Sequence, residues 1–358
     1  MHLTLHIGAE KTGSTSIQET LFDNLEALSE QSIFVPQSLK SWGHHARLYT
    51  LFKPFDYSDE FLESELCSSQ HDRPELINKW KDDFCHEIGN ARAGHCIISS
   101  EFLHSRLSSA EEINQLRLFL DTLFSSYTII IYIRNQIEAA ASLVSTAVRG
   151  FGASYVHGHF PLPGSQAFVD LGIHFKFNYE QTIQLWRQAF HDSTVQVCLY
   201  DPETLAGGCV VTDFLKRCGI SDHRIRIASR KNESLGVTAL SLLSSFNKIP
   251  THDLNDTAWY ERKAFLADIL KFTLDGSRRY QPDPEAQLQY EKYFADSNEW
   301  VRSNYFPERS ILFPKRDDAK ASTSTFQIDP QDCDSVALAF DLILRHVAAK
   351  EDLFHRND

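Results

Sequence analysis

The sequence predicts an α/β fold in which a parallel β-sheet is flanked by helices. Short apolar runs, typical of buried strands, occur at 3–7, 96–99, 128–133 and 195–199. Segments with helical periodicity separate these runs along the chain. A parallel connection between strands needs a crossover, usually a helix, so this alternation predicts parallel strands with helices on both faces.

Each predicted element has its own signal. The run TIIIYI is the clearest strand, because it is β-branched and aromatic without polar alternation, as in a strand covered on both faces. The other three runs are shorter, and the first of them, at 3–7, alternates apolar with polar residues. Amphipathic helices are predicted, in chain order, at 16–28, 110–124, 137–149 and 179–190.

The pattern after about residue 235 is helical and polar. Amphipathic segments there are VTALSLLSSFNKI, AWYERKAFLADILKFTL and PEAQLQYEKYFADSNEWVRSNYF. The polar stretch KRDDAKASTSTFQ then precedes a last helical pattern at 336–349. We therefore expect an α/β domain with a helical C-terminal part over 1–315, and a linker with a C-terminal helix over 316–358.

Composition limits the classes of partner. The 358 residues are 42% hydrophobic and 12% aromatic, which is enough for a sizeable core. The formal net charge of −13 repels nucleic acids and anionic membranes, so neither is expected as the main partner. An acidic chain that binds a polyanion must concentrate its cations in short motifs.

Cysteine usage and the N-terminus predict a soluble, cytoplasmic protein. The seven cysteines are odd in number and show no CxxC or Cys/His spacing, so free thiols in a reducing compartment are expected, without structural zinc. The N-terminus lacks the basic and apolar pattern of a signal peptide. No segment approaches the roughly 20 apolar residues of a membrane span.

The segment HIGAEKTGSTS, between the first strand and the first helix, has the composition of a phosphate-binding loop. Gly8 and Gly13 allow close backbone approach, and Lys11 supplies a mobile positive charge. Hydroxyl donors follow at Thr12, Ser14, Thr15 and Ser16. A strand-to-helix turn also directs N–H groups and the positive end of the helix dipole at one point. The ATPase pattern GxxxxGK[ST] is not met, because Lys11 precedes Gly13 by two residues.

This segment resembles the 5′-phosphosulfate loop of sulfotransferases that use 3′-phosphoadenosine 5′-phosphosulfate (PAPS). The family's loop reads like KTGTTS, and Ser14 keeps the hydroxyl of the commoner threonine. The resemblance implies a fold like that of P-loop kinases, PAPS as donor, 3′-phosphoadenosine 5′-phosphate (PAP) as product, and no metal. It implies that the loop residues bind the cofactor and that Lys11, assisted by the loop amides and Thr15, acts on the leaving group.

A second element, TIIIYIRNQIEAAASLV, resembles the family's strand ending in arginine and helix with a serine eight residues on. Arg134 and Ser142 occupy these positions, and the resemblance implies that they hold the 3′-phosphate. The carboxyl end of a strand is where open α/β sheets bind ligands, and a guanidinium suits a phosphate. Alone, such an arginine is often a surface cap and a mid-helix serine usually has no role. The presence of both motifs favours cofactor binding.

Weaker similarities extend further along the chain. ASRKNESLG resembles the family's late basic loop, in which Arg230 and Lys231 would close over the 3′-phosphate, with Arg224 and Arg226 as competitors. LYDPETL with VVTDFLKRCGI, and FADSNEWVRSNYF, resemble later parts of the family, the last of them in bacterial carbohydrate-type sulfotransferases. The resemblance covers about 1–315.

Sulfuryl transfer needs a base for the acceptor proton, and the resemblance implies His or Glu. WGHHARL offers His44 and His45 after the first helix, and CIISSEFLH offers Glu101, with His104 three residues on. We favour Glu101, because it follows a strand next to the cofactor strand. Its alternative role is a helix cap, and the alternative for the paired histidines is packing.

The expected function is sulfuryl transfer from PAPS to an acceptor hydroxyl on a small molecule or glycan, with carbohydrate preferred. The aromatic stretch RGFGASYVHGHFPLPG could hold a sugar ring or merely anchor a loop. The alternatives are a P-loop kinase using ATP and magnesium, with Glu101 as its acid, and a non-catalytic nucleotide-binding protein. The acceptor, the choice of base, a homo-oligomeric state and the role of 316–358 stay open.

Overall fold

The computed structural model describes residues 1–69, 71–149, 160–221, 224–228, 236, 238–240, 243, 265–270, 279–314 and 321–322. The strands are β1 (His2–His6), β2 (Ile33–Phe34), β3 (His95–Ser99), β4 (Ser126–Ile133), β5 (Thr194–Leu199), β6 (Arg279–Tyr280) and β7 (Ala321–Ser322). The α-helices are α1 (Ser14–Asp23), α2 (Leu25–Glu30), α3 (Glu60–Cys67), α4 (Arg73–Asn90), α5 (Phe102–Arg106), α6 (Ala110–Leu120), α7 (Gln136–Arg149), α8 (Gln166–Asp170), α9 (Ile173–Phe177), α10 (Tyr179–Ala189), α11 (Val210–Arg217), α12 (Pro284–Tyr293) and α13 (Ala295–Tyr305). Short 3₁₀ helices span Ala46–Phe52 and Ala206–Gly208, and 238–240, 243 and 265–270 are also helical.

Five strands form one parallel sheet in the order β2-β3-β1-β4-β5. β1 lies at the centre, where Leu3 pairs with Cys96 of β3 on one side and Tyr127 of β4 on the other. The predicted fold class is confirmed: this is an α/β fold with a parallel sheet, flanking helices and further helices toward the C-terminus.

The sheet is buried on both faces, as the uninterrupted apolar pattern of β4 predicts. Ile129–Ile133 of β4 are all 0% exposed. Ile130 and Tyr132 point to the face that packs against α1, α2 and α11. Tyr127 points to the opposite face and contacts Phe190, which directly follows α10. Because this part of β4 is covered on both faces, it has no polar alternation.

The strand order places a crevice at the carboxyl edge of the sheet. From β1 the chain moves through α1 and α2 toward β2, at one side of the sheet. From β4 it moves toward β5, at the other side. Neighbouring strands whose connections leave in opposite directions open a crevice between their carboxyl ends, where α/β sheets bind ligands. The loops after β1 and β4 border this crevice.

Two predicted helices are each divided in the structure. The first, expected over 16–28, ends at Asp23 and restarts as α2, because Asn24 leaves the helical conformation with φ −126°. Its side-chain amide donates to the carbonyls of Thr20 and Arg226 at 2.7 and 2.9 Å, and its oxygen accepts from the Arg226 amide at 2.8 Å. This long-range contact stops the helix, although the local pattern would continue it. The second divided segment separates at Phe294 into α12 and α13.

Several elements lack a clear sequence signal. β2 has only two residues, which are too few to form a recognisable strand pattern in the sequence. The 18-residue helix α4 buries only a narrow stripe, Leu76, Trp80, Phe84 and Ile88. The predicted helix at 336–349 lies outside the described part of the chain.

The described residues belong to two compact units. The first contains the five-stranded sheet and α13, within Met1–Asn135, Gly172–Lys231 and Phe294–Phe313. The second contains α7, α8 and α12. Its apolar core joins Val144 and Val148 of α7 to Leu240 and Leu270, and the Tyr290 hydroxyl donates to the Pro161 carbonyl at 2.7 Å.

Candidate functional site

The loop between β1 and α1 requires glycine at both ends. Gly8 has φ 48°, and a Cβ there would lie 2.8 Å from Ser14 Oγ. Gly13 has φ 82°, and a Cβ there would lie 2.8 Å from Val210 Cγ1 and 3.2 Å from Tyr200 Cε2. Both the backbone conformation and the close approach exclude larger residues. The two glycines therefore set the tight shape of the loop.

The N-terminus of α1 has backbone donors available to a ligand. Gly13 is its N-cap residue and supplies no side-chain cap, and the first turn holds no acidic residue. Within the described structure, the amides of Gly13, Ser14 and Thr15 have no hydrogen-bond partner. By contrast, α6 has a full capping box formed by Ser109 and Glu112. Uncapped N–H groups at the positive end of a helix dipole attract an anion.

The predicted hydroxyl donors of the loop have different surroundings. Thr12 is buried and donates to the Ala9 carbonyl at 2.6 Å, so it shapes the loop. Ser14 Oγ is buried without a hydrogen-bond partner in the described structure. Thr15 is exposed, and Ser16 is half-buried with its carbonyl accepting from Thr20. The hydroxyls of Ser14, Thr15 and Ser16 thus have no hydrogen-bond partner among the described residues.

Lys11 lies in the left-handed region, with φ 68°. This conformation costs a non-glycine residue roughly 1–2 kcal/mol. Strained backbone of this kind is concentrated at functional sites, where the surrounding structure holds it. The positive charge of half-buried Lys11 lowers the pKa of Glu10 and opposes the upward shift of the Glu101 pKa.

Arg134 connects the end of β4 to the opening loop. Its Nη1 donates to the Lys11 carbonyl at 3.3 Å, and its guanidinium carbon lies 5.6 Å from the centre of the Tyr200 ring. The Tyr179 hydroxyl donates to the Arg134 carbonyl at 2.7 Å. The structure therefore brings together the two strand ends that carry the sequence motifs.

Glu101 lies at the end of β3, half-buried beside the opening loop. Burial, followed by the charge of Glu10, raises its pKa above the ordinary range, against the opposing effects of Lys11 and Ser14. Glu101 is the N-cap residue of α5, yet its side chain makes no capping bond. The contacts therefore do not support a helix-capping role for the Glu101 carboxyl group.

A charged pair beside the loop has no sequence signal. Lys176 Nζ of α9 lies 3.1 Å from both carboxylate oxygens of Glu10, and the two side chains are 20% and 15% exposed. Burial alone would raise the Glu10 pKa, but Lys176 and Lys11 lower it to about 2. His104 is fully buried nearby with both ring nitrogens unpaired in the described structure, and burial lowers its pKa to about 4. Only the packing of α9 and α5 brings these residues to the loop.

The two predicted histidines differ in their contacts. His45 is fully buried, and Nε2 lies 2.9 Å from the Pro36 carbonyl while Nδ1 lies 3.1 Å from the Ser99 amide. One tautomer satisfies both, so the ring bridges two backbone segments. His44 Nδ1 lies 3.1 Å from the Ser100 hydroxyl, next to Glu101. Burial lowers the pKa of His44 to about 3 and that of His45 to about 4. These contacts favour structural roles, and catalytic roles for both stay predictions.

The remaining predicted residues are less defined. Ser142 lies half-buried in α7, within the second unit. Arg230, Lys231 and most of the aromatic stretch at 149–164 lie outside the described residues. Arg224 pairs with Glu30 at 2.5 Å, and the Arg226 backbone binds Asn24.

No protein-family model matches the chain, and no curated protein matches it. Among solved structures, a sulfotransferase from Alicyclobacillus acidocaldarius is similar in part, with 14% sequence identity. The alignment covers 84% of this chain and 94% of that chain, with a TM-score of 0.42. So low a score carries no information on function or mechanism, which rest on the residues of this chain.

In the described part of the chain, no group of three or more His, Cys, Asp or Glu side chains is placed to hold a metal ion. No described helix is long and apolar enough to cross a membrane.

The arrangement can bind a polyanion and accept a proton at adjacent points. Positive potential at the crevice between β1 and β4 comes from the unpaired amides of Gly13, Ser14 and Thr15. The side chains of Lys11 and Arg134 add to it. Glu101 supplies a carboxylate whose raised pKa makes it a better base than an ordinary glutamate. The sequence motifs identified these residues, whereas Glu10, Lys176, Tyr179 and Tyr200 are recognised only from their contacts.

Proposed function

We propose that this protein is a sulfotransferase that moves a sulfuryl group from PAPS to an acceptor hydroxyl, and that the acceptor is a carbohydrate. The observation that carries the proposal is the contact between Arg134 and the Lys11 carbonyl, 3.3 Å long. In this contact the guanidinium at the end of β4 lies against the loop that leads to the unpaired amides of Gly13, Ser14 and Thr15. One nucleotide with phosphates at both its 5′ and 3′ positions could engage both.

The residues present fit such a donor. The uncapped start of α1 and the unpaired Ser14 hydroxyl suit the phosphosulfate end of PAPS. Arg134 suits a second phosphate, because a guanidinium forms paired, charge-assisted hydrogen bonds with phosphate oxygens. We extend the proposal to Ser142, Arg230 and Lys231 as further ligands of the 3′-phosphate.

When bound, PAPS supplies an activated sulfuryl group on a phosphate leaving group. Lys11 and the loop amides would stabilise the negative charge that develops on the bridging oxygen. Glu101 would take the proton of the acceptor hydroxyl, since it follows β3, the strand next to β1, and its side chain makes no helix-capping bond. Burial and Glu10 keep its pKa raised, which improves proton uptake by the carboxylate.

A P-loop kinase is the second candidate. The observation that favours it is the Ser14 hydroxyl beside Glu101, since kinases of this type hold magnesium between a loop hydroxyl and an acidic strand end. Against it stands the position of Lys11, two residues before Gly13 rather than directly after it. Cytoplasmic location stays a prediction from the sequence.

Calorimetric titration separates the candidates. The protein is titrated with PAP, and separately with ATP plus magnesium. We expect PAP to bind and Arg134→Ala to weaken it about a hundredfold, because a charge-assisted contact to phosphate is lost. The matched control is Arg92→Ala, since Arg92 is exposed and precedes β3 at the opposite edge of the sheet.

Each outcome has a definite meaning. PAP binding that is lost in Arg134→Ala and kept in Arg92→Ala supports the proposal, and turnover of PAPS with a sugar panel then completes it. Binding of ATP with magnesium alone would replace the proposal with the kinase. Tight PAP binding without turnover on any acceptor would support a non-catalytic nucleotide-binding protein.

A further inference from the structure

A tight turn near the candidate base carries a tryptophan at its tip. Ser41 and His44 exchange two backbone hydrogen bonds, of 2.9 and 3.0 Å, so only Trp42 and Gly43 form the connection. Both connecting residues have positive φ, 49° for Trp42 and 83° for Gly43. This is the pattern of a type I′ turn, in which Asn-Gly is the favoured pair.

Trp42 breaks the rule of its own turn. A bulky side chain in the left-handed region is strained, and an asparagine would relieve the strain at this position. The indole is also 53% exposed, so burial does not compensate for the strain. Local rules broken without structural gain are expected at functional positions.

The turn holds the indole rigidly. The Ser41 hydroxyl donates to Glu65 at 2.7 Å, and Arg47 holds the other oxygen of Glu65 at 2.9 Å. The Trp42 ring packs edge-on against Phe61, with ring centres 5.2 Å apart. A fixed aromatic side chain loses little conformational entropy when a ligand stacks on it.

The indole packs against the residue that follows the candidate base. Its ring centre is 6.4 Å from that of Phe102, the residue that directly follows Glu101. His44, from the same turn, packs on Phe102 at 4.6 Å and contacts Ser100 on the other side of Glu101. The residues on both sides of Glu101 thus contact the turn that carries Trp42.

We propose that Trp42 is the platform on which a sugar ring of the acceptor stacks. The inference rests on the proposed function for its place beside the base. A sugar has an apolar C–H face and hydroxyl edges, which suits one exposed aromatic ring among polar groups. Phe61, Phe102 and Tyr49 beneath it are buried, so no broad apolar pocket is exposed there for a sterol-like acceptor.

The test follows the indole N–H signals of protein labelled at tryptophan with nitrogen-15. The Trp42→Asn spectrum identifies the Trp42 signal among those of the five tryptophans. The probes are maltotriose, cellotriose, chitotriose and a chondroitin disaccharide, with 2-naphthol as a planar aromatic comparison. We expect at least one sugar to shift the Trp42 signal saturably, and Trp42→Asn to weaken its binding about tenfold. Trp42→Phe, which keeps a ring, should retain part of the affinity.

The asparagine variant separates binding from folding. Because asparagine suits the turn, we expect Trp42→Asn to melt about 2 °C higher than the wild type while it loses sugar affinity. PAP affinity should not change. The inference is overturned if none of the four sugars moves the Trp42 signal, if Trp42→Asn binds sugar as tightly as wild type, or if only 2-naphthol binds. If the wild-type protein does not bind PAP, the proposed function is overturned instead. The sugar titration would still decide the role of Trp42.

Discussion

The two edges of the parallel sheet carry the same kinds of side chain in different states of pairing. At the amino edge, His2 lies 2.9 Å from the Ser126 hydroxyl and 3.2 Å from that of Thr128, and His95 lies 2.8 Å from the Thr4 hydroxyl. Each of these imidazoles has hydroxyl partners from a neighbouring strand. Histidine and hydroxyl residues at this edge therefore stabilise the sheet.

At the carboxyl edge, buried polar atoms stay without partners in the described structure. These atoms are Ser14 Oγ, both ring nitrogens of His104, and Nε2 of His6, whose Nδ1 lies 2.8 Å from the Ser99 hydroxyl. Each unpaired buried group costs about 1–3 kcal/mol, so a ligand that paired with these atoms would gain binding energy from them. The two edges therefore differ in how many of their buried polar atoms have no partner among the described residues, more than in residue type.

The largest expected effect comes from removing the loop cation. Lys11→Met should reduce kcat for sulfuryl transfer about a thousandfold, because the charge that develops on the leaving group loses its nearest cation. Lys216→Met, at an exposed position in the last turn of α11, is the matched control and should leave kcat unchanged. Equal kcat values for Lys11→Met and wild type would mean that the loop only binds the nucleotide.

Glu101→Gln should reduce kcat about a hundredfold and remove the acidic limb of its pH profile. The same change should raise the melting temperature at pH 7. Since the folded-state pKa of Glu101 is raised, the folded protein binds this proton more tightly than the unfolded chain, and stability falls as the pH rises through that pKa. The neutral glutamine avoids this loss.

The control for Glu101→Gln is Glu203→Gln, at an exposed position after β5. It should change neither kcat nor the melting temperature. Unchanged kcat together with a raised melting temperature in Glu101→Gln would make Glu101 a strained structural carboxyl group. His44 would then be the next residue to test as the base.

The smallest effect is expected at the amino edge. His95→Leu should leave PAP affinity and kcat unchanged and lower the free energy of unfolding by about 1 kcal/mol at pH 7, because Thr4 loses its partner. Burial, with a contribution from His2, lowers the His95 pKa to about 4, so wild type loses stability as the pH falls from 6.5 toward 4. His95→Leu has no imidazole to protonate in this pH range. The difference in free energy of unfolding between wild type and variant, measured with urea, should therefore be smaller at pH 5 than at pH 7. A fall in PAP affinity would contradict the separation of the two edges.

The central strands and the phosphate-binding loop could be predicted because their signals are local. β4 is readable from its run of isoleucines, and Gly8 and Gly13 from the demands of a tight turn. Asn24 and Phe294 show the limit of local patterns. Asn24 interrupts a helix to contact Arg226, about two hundred residues away along the chain, and helical periodicity contains no such information.

The sequence by itself determined the main strands of the sheet, the anion-binding turn and the arginine at the end of β4, since each depends on neighbouring residues. Only the tertiary structure decided that Lys176 neutralises Glu10, that His45 bridges backbone groups, and that Glu101 lies free of its helix cap beside Ser14. Those facts depend on which distant side chains come within a few ångströms and on how far water is excluded from them. Burial and neighbouring charge set the pKa of a carboxyl group, and both arise only when the chain has folded.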